Sequence, residues 1–175
     1  MSEFGVGTIV VPDGCNWIAG RPQSELDIAI VASRFNADIV QKLLDGAVAE
    51  LESRGIVRER ITVVLVPGAW ELPMACRRLA EAGGHHAVVA LGCVIRGETP
   101  HFDYICAEAA RGITDAAAAT GVPVAFGVVT ANTLEQAEAR SGGAHGNKGS
   151  EAADAAVEMA ELMHTLPRAR QRARS

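Results

Sequence analysis

The stretch GCVIRGETPHFDY, residues 92–104, joins two segments of different pattern. The run AVVAL at residues 87–91 is apolar at every position, as in a parallel strand that helices cover on both faces. After the stretch, apolar residues recur at helical spacing, at Ile105, Ala109, Ile113 and Ala117. Thr99 as N-cap and Pro100 at the first helical position would place His101 in the first turn of this helix. The stretch therefore predicts a strand, a tight turn and a helix.

The first turn of that helix has two properties that matter for chemistry. Its backbone N–H groups have no partner within the helix, and the positive end of the helix dipole lies there, so it binds anions well. A histidine such as His101 can exchange protons near neutral pH. A solvated histidine without a function accounts for the stretch equally well, and these residues alone leave both interpretations open.

The composition fits a single globular domain. The 175 residues suffice for a full core, and no segment reaches the ~20 continuous apolar residues of a membrane span. The net charge of −5 argues against general nucleic-acid binding. The N-terminal residues lack a basic-then-apolar signal pattern, so a cytoplasmic location is expected. The cysteines show no zinc spacing, and we expect neither a metal nor a disulfide.

Strands alternate with helices along the chain. Apolar runs typical of strands occupy residues 26–32, 61–66, 87–91 and 123–129. Helical periodicity follows each run, and the third helix is expected to end near Gly121. Thr133 and Gln136 suggest a capping box at the start of a short helix, after which a loop at residues 141–149 leads to a last helix over residues 152–163. This order indicates an α/β fold with a four-stranded parallel sheet and helices on both faces. Ligands of such folds bind outside the carboxyl ends of the strands, where the unusual turns of this sequence also lie.

The two ends of the chain fall outside this pattern. Residues 1–25 form an N-terminal arm, in which residues 8–11 could add a short strand to the sheet edge of a neighbouring subunit. A mobile arm is the alternative. Residues 26–166 would form the domain, and the arginine-rich residues 167–175 are expected to be a disordered basic tail.

Two kinds of ligand group are suggested by the residues at the strand ends. Phe35 and Trp70 are candidates to cover a flat ring, although either could simply pack in the fold. Glu71 can accept hydrogen bonds from hydroxyl groups or serve only as a first-turn helix acid. The backbone of residues 93–95 would leave the sheet here and offer N–H and C=O groups to a polar heterocycle.

A phosphate could bind at the same edge. The backbone N–H groups of Glu98 and Thr99 form a candidate anion nest, to which Arg140 could add a bidentate clamp. Alone, Arg140 is more typical of a helix-end cation. The usual glycine-rich signatures of dinucleotide and nucleoside triphosphate sites are absent, so no cofactor is expected. The residues indicate a phosphorylated small molecule and a flat polar ring, handled by proton transfer.

Four motifs resemble the signature of the lumazine synthase family: residues 33–36, 67–73, 92–106 and 146–149. The resemblance covers residues 26–163 with motif order and spacing intact. It implies a flavodoxin-like three-layer sandwich and a transferase of riboflavin biosynthesis. Members of the family condense 5-amino-6-(D-ribitylamino)uracil with 3,4-dihydroxy-2-butanone 4-phosphate. The products are 6,7-dimethyl-8-ribityllumazine, phosphate and water.

The resemblance assigns the heterocyclic substrate to three groups of residues. Phe35 would stack on the pyrimidine ring. Three consecutive residues would hold the ribityl chain: Ala69, Trp70 and Glu71. Three more would read the pyrimidine edge through their backbone groups: Cys93, Val94 and Ile95.

The same resemblance assigns other residues to the phosphorylated ketone. Glu98 and Thr99, together with Arg140, would hold the phosphate, and His101 would be the proton donor and acceptor. Because Glu98 is acidic, its side chain should point away from the phosphate and only its N–H group should take part.

The resemblance also implies a homo-oligomer. Phe126 would reach into the site of a neighbouring subunit, with Lys148 nearby. Lumazine synthases are pentamers, some of which join into icosahedral shells or decamers. The short loop at residues 141–145 predicts the shell, whereas Pro12 and Pro22 in the arm favour the free pentamer. Riboflavin synthase is a candidate partner.

Two other functions are alternatives to this enzyme. A catalytically weak lumazine- or riboflavin-binding shell protein would need Phe35 and Trp70 but not a phosphate clamp. The joint presence of residues 97–99, His101 and Arg140 favours the enzyme. A flavodoxin-like electron carrier is disfavoured, since no Ser/Thr-rich phosphate loop follows the first strand.

Overall fold

The computed structural model of this chain describes residues 9–23 and 25–167. The strands are β1 (Ile28–Ser33), β2 (Ile61–Val66), β3 (Ala87–Ile95), β4 (Val124–Ala131), β5 (Ser141–Gly143) and β6 (Gly146–Asn147). The helices are α1 (Ala37–Ser53), α2 (Leu72–Ala82), α3 (His101–Thr120), α4 (Leu134–Ala139) and α5 (Lys148–Thr165). Apart from Pro167, the tail predicted at residues 167–175 lies outside the described residues, and so do residues 1–8 of the arm.

Strands β1 to β4 form one parallel sheet in the order β2-β1-β3-β4. Helices α1 and α5 cover one face of the sheet, and α2 and α3 cover the other. Each face has its own cluster of buried apolar side chains, because successive side chains of a strand point to opposite faces. The predicted α/β fold, a flavodoxin-like three-layer sandwich, is confirmed.

The two central strands and the two edge strands differ in burial. All of β1 and the first seven residues of β3 are buried, which explains their unbroken apolar sequence. On the edge strands, Val63 and Leu65 of β2 and Phe126 of β4 remain exposed. Residues 9–11 form no strand within this single chain, and Ile9 is 88 % exposed. Their pairing with a neighbouring subunit stays a prediction.

Helices α1 and α5 approach each other closely at the start of α5. A Cβ on Gly149 would overlap the backbone carbonyl of Leu43, so only glycine fits there. Asn147 caps α5 by accepting from the N–H groups of Gly149 and Ser150, and its amide donates to the carbonyl of Lys42 at 2.8 Å. The GNKG motif thus fixes where α5 begins against α1.

Strand β3 is longer than the sequence analysis predicted. Its expected end at Leu91, with residues 93–95 leaving the sheet, is wrong, because β4 continues to pair with β3 as far as Ile95 and Ala131. The other neighbour ends earlier, since β1 pairs with β3 only as far as Leu91. Residues 92–95 therefore have a strand on one side only.

The start of α3 also differs by one residue from the prediction. The helix begins at His101 with Pro100 as its N-cap residue, so Thr99 is not the N-cap, and no side chain in the described part of the chain caps it. The carbonyl of Pro100 instead accepts the N–H of Asp103 at 3.0 Å. The placement of His101 in the first turn is confirmed.

The region around α4 contains two further differences. Thr133 caps α4 by accepting from the N–H of Gln136, as predicted, but Gln136 Oε1 returns to the N–H of Asn132 rather than that of Thr133. The loop predicted at residues 141–149 contains the short antiparallel pair β5 and β6, and α5 already begins at Lys148. Among the described residues, no helix has both the length and the apolar composition needed to cross a bilayer.

Candidate active site

Three strand-to-helix turns and the start of α3 surround an open pocket of about 310 Å³. The turns follow β1, β2 and β3, whose carboxyl ends meet at one edge of the sheet. The pocket is lined by Phe35, Asn36, Gly68, Ala69, Trp70, Cys93, Val94, Ile95, Gly97, Thr99, His101, Phe102 and Ile105. Eight of these were predicted site residues, and the structure brings them together.

The turn after β1 holds Phe35 over the pocket. The N–H of Arg34 donates to the carbonyl of Val66 at 2.8 Å, and that of Phe35 to the carbonyl of Pro67 at 3.1 Å. Asn36 has a left-handed backbone with φ of 56°, and its Nδ2 donates to the carbonyl of Cys93 at 2.9 Å. These bonds fix the turn to both neighbouring strands, while the Phe35 ring stays 71 % exposed and free to stack.

The turn after β2 places Trp70 on the same pocket. Glu71 Oε2 accepts the N–H of Gly68 at 2.9 Å, which closes the turn before α2. Ala69 is buried, whereas Trp70 is 55 % exposed. The Glu71 side chain therefore stabilises the turn and is not among the residues that line the pocket.

The end of β3 presents backbone groups to the pocket where β1 has stopped. Val94 and Arg96 face β4, since the N–H of Arg96 donates to the carbonyl of Ala131 at 2.9 Å. Peptide groups alternate along a strand, so those of Cys93 and Ile95 point to the opposite side. There the carbonyl of Cys93 already accepts from Asn36. The backbone N–H and C=O groups of Ile95 lie on this same side, which β1 leaves open.

The Cys93 thiol is unsuited to nucleophilic attack. Burial raises its pKa to about 11, so it remains protonated at neutral pH. A backbone role for this residue therefore fits its surroundings better than a covalent one.

The loop between β3 and α3 brings Gly97, Thr99 and His101 to the pocket. Glu98 lies between them but does not line it, and its side chain is exposed. Among the described residues no side chain caps α3, and the N–H of Asp103 is already bonded to the carbonyl of Pro100. The N–H groups of His101 and Phe102 remain available to an anion. Thr99 and His101 thus stand at the positive end of a helix of 20 residues.

Three predicted site residues lie away from this pocket in the single chain. Arg140 ends α4, where its Nη1 donates to the carbonyl of Gln136 at 3.0 Å and its carbonyl accepts the N–H of Lys148 at 2.9 Å. Lys148 Nζ pairs with Glu151. Phe126 is 45 % exposed on edge strand β4. These three residues do not reach the pocket of their own chain.

Comparison with known proteins decides the family. The family model described as 6,7-dimethyl-8-ribityllumazine synthase matches residues 25–164. The chain belongs to this family. It is 50 % identical over 145 residues to the 6,7-dimethyl-8-ribityllumazine synthase of Gemmatimonas aurantiaca, covering 82 % of this chain and 88 % of that relative. It is 47 % identical over 150 residues to the synthase of Desulfovibrio desulfuricans, covering 85 % and 96 %.

A third relative gives the same result. The 6,7-dimethyl-8-ribityllumazine synthase of Xanthomonas campestris pv. campestris strain B100 is 51 % identical over 138 residues, or 79 % of this chain and 90 % of the relative. The family match extends from just before β1 to the last turn of α5. The resemblance noted over residues 26–163 is confirmed.

Five pocket residues of this lumazine synthase family member were missed by the sequence analysis: Asn36, Gly68, Gly97, Phe102 and Ile105. Asn36 carried a local signal, because asparagine often adopts the left-handed conformation of a turn. Phe102 had none, since an aromatic residue in a helix looks like any core position. Its exposure to the pocket depends on how α3 is docked.

Proposed function

We propose that this chain condenses 5-amino-6-(D-ribitylamino)uracil with 3,4-dihydroxy-2-butanone 4-phosphate to form 6,7-dimethyl-8-ribityllumazine, phosphate and water. One observation carries the proposal. An exposed aromatic ring, open strand-end backbone groups and an uncapped helix start with a histidine all face one pocket. Such a pocket can hold a heterocycle and a phosphate side by side, which converts a bimolecular condensation into an effectively unimolecular one.

The pyrimidine would lie at the end of β3. Phe35 stacks on its ring, and the backbone of residues 93–95 reads its polar edge. The ribityl chain runs toward Ala69 and Trp70. Glu71 accepts from a ribityl hydroxyl only through the part of its carboxylate not used by Gly68. The exposure of Phe35 and Trp70 beside the pocket supports this arrangement.

The phosphorylated ketone would lie at the start of α3. The backbone N–H groups of Glu98 and Thr99 bind its phosphate, helped by the helix dipole. His101 transfers protons as the amine adds to the ketone and as phosphate leaves. The pocket position of Thr99 and His101 and the missing cap on α3 support this assignment.

A neighbouring subunit would complete each pocket. Phe126, Arg140 and Lys148 lie outside the pocket of their own chain, and Phe126 is exposed at a sheet edge. We therefore assign them to the pocket of the next subunit in a pentamer. The proposal further includes assembly of the pentamers into an icosahedral shell, with the free pentamer as the alternative. It also includes riboflavin synthase as a partner and a cytoplasmic location.

Purified protein mixed with the two substrates tests the activity. Formation of lumazine, followed by its absorbance, is expected to exceed the spontaneous rate measured without protein. A variant with Phe35→Ala should react slowly because it lacks the ring that stacks on the pyrimidine. Product formation no faster than the spontaneous rate would leave the binding protein as the better account.

Light scattering at neutral pH in phosphate buffer tests the assembly. A mass far above that of five chains is expected for the shell. A single species with the mass of one ring would exclude the shell, and a monomer would exclude the shared pocket as well.

A further inference from the structure

The Arg96 side chain contacts α3 and the loop between β4 and α4. Its Nη2 and Nη1 donate to the two carboxylate oxygens of Asp103 at 2.7 and 3.2 Å, and its Nε donates to Asn132 Oδ1 at 3.0 Å. The guanidinium carbon also lies 4.2 Å from the centre of the Phe102 ring. One planar group thus uses its rigid fork and its face at the same time.

These contacts close the loop that carries Thr99 to the pocket. Arg96 directly follows β3, and Asp103 lies in the first turn of α3, so the pair joins the two ends of residues 97–100. No side chain caps α3 from within the loop. Hydrogen bonds from Arg96 lower the pKa of Asp103, so the pair stays ionised at neutral pH.

The pair also removes an electrostatic obstacle. Asp103 is the acidic residue in the first turn of α3, where an unpaired carboxylate would repel a bound phosphate. Its bidentate pairing with Arg96 neutralises that charge beside the first N–H groups of the helix. Phe102, held under the guanidinium, lines the pocket beside His101.

The hydrogen bond from Arg96 to Asn132 connects this loop to α4. The N–H of Asn132 donates to Gln136 Oε1 at 2.8 Å, and the carbonyl of Gln136 accepts from Arg140 Nη1 at 3.0 Å. Asn132 and Gln136 therefore link the guanidinium group of Arg96 to that of Arg140 through hydrogen bonds. The same network thus supports the loop of one pocket and the arginine that is assigned to the next pocket.

We propose that Arg96 is a positioning residue of the condensation. It does not line the pocket, and it acts through Phe102, Asp103 and Asn132 to hold Thr99 and His101 in place. The inference rests on the proposed function. The alternative is an exposed ion pair that contributes only to stability, as many surface pairs do.

The variants Arg96→Gln and Arg96→Lys test the inference, with Arg77→Gln as the matched control. Arg77 Nε donates to Glu81 at 2.7 Å in an exposed pair on α2 and does not line the pocket. Arg96→Gln should lower kcat/KM for the ketone phosphate by about 10- to 100-fold, since misplacing reacting groups by ~1 Å costs up to about 100-fold. The KM for the pyrimidine, bound at β3 and Phe35, should change less than about twofold.

Arg96→Lys should restore only a small part of the loss, because an ammonium cannot pair with Asp103, bond Asn132 and cover Phe102 together. Hydrogen exchange of the amides of residues 97–104 provides a readout that needs no turnover. Exchange there should accelerate in both Arg96 variants and stay at the wild-type rate in Arg77→Gln.

Each other outcome overturns the inference. Unchanged exchange would show that Arg96 does not hold the loop, and faster exchange with unchanged kinetics would show that the loop needs no such support. Equal losses for both substrates, with a lower unfolding temperature, would assign Arg96 a general structural role. A wild-type protein without activity would remove the proposed function and this inference with it, whatever the variants do.

Discussion

His101 and Arg140 stand at helix ends of opposite polarity, and this difference determines what each can do. His101 opens α3, where no side chain caps the helix, and it already lines the pocket. Arg140 ends α4 and donates to the carbonyl of Gln136 in its own helix. A guanidinium has five N–H donors, so this bond leaves others for a phosphate. These positions are compatible with the roles proposed for them, proton transfer by His101 and phosphate binding by Arg140.

His101→Asn is expected to keep the fold and lower the turnover rate. Proton transfer by a positioned group contributes ~10²–10⁴-fold, and alignment of two substrates supplies much of the remaining acceleration. We expect a loss of about 100-fold or less, measured as kcat with both substrates saturating. Full activity across the pH range would remove His101 from the mechanism.

Arg140→Ala is expected to raise the KM for the phosphorylated ketone far more than that for the pyrimidine. Loss of a charged donor to phosphate costs roughly 1.5–3 kcal/mol. Steady-state kinetics with each substrate varied in turn measure the two constants. Arg58→Ala is the control, since it removes only an exposed pair with Glu52. Equal effects on both substrates would make Arg140 a helix-end cation only.

At the scale of elements, the contact between α1 and α5 is the one that leaves least room. The backbone of α5 at Gly149 touches the carbonyl of Leu43, and Asn147 ties the same place to Lys42. This contact sets the start of α5, and the N–H of Lys148 in turn bonds the carbonyl of Arg140. The packing of two helices therefore decides where Arg140 and Lys148 lie, two of the residues assigned to the pocket of the next subunit.

Gly149→Ala is expected to destabilise the fold by roughly 3 kcal/mol, the upper end of the typical cost of about 1–3 kcal/mol for overpacking, because the added Cβ would meet rigid backbone. Denaturant unfolding at fixed protein concentration measures the loss. Gly97→Ala is the control, since its Cβ would meet no atom within 4 Å. An unchanged unfolding midpoint for Gly149→Ala would mean that the two helices are not held this closely.

Elements whose signals are local could be predicted from the sequence. The four sheet strands, the αL glycine after α3 and the Thr133 cap follow from periodicity and neighbouring residues. The continuation of β3 to Ile95 could not, since it depends on pairing with β4. The bond from Asn36 to Cys93 joins residues 57 positions apart, which no local pattern reveals.

At the scale of the whole molecule, the two sheet edges present apolar side chains to their surroundings. Leu65 on β2 is 61 % exposed, and Phe126 on β4 is 45 % exposed. Apolar residues exposed at sheet edges are typical of surfaces that another chain covers. The pocket of one chain also lacks Phe126, Arg140 and Lys148. Both features fit a ring of subunits in which each edge completes the next pocket.

Mixed rings of two variants distinguish a shared pocket from a pocket within one chain. In a ring, a pocket would use His101 of one chain and Phe126 of the next. We expect Phe126→Ser and His101→Asn to be slow when assembled separately. When the two are unfolded together and reassembled at equal amounts, about one quarter of the pockets should hold both native residues, because the two residues come from different chains. The rate of lumazine formation by the mixture should then exceed the mean of the two separate rates.

If each pocket used both residues of one chain, every pocket would carry one defect and the mixture would show only that mean. Light scattering on the same samples checks that all three form rings of equal mass.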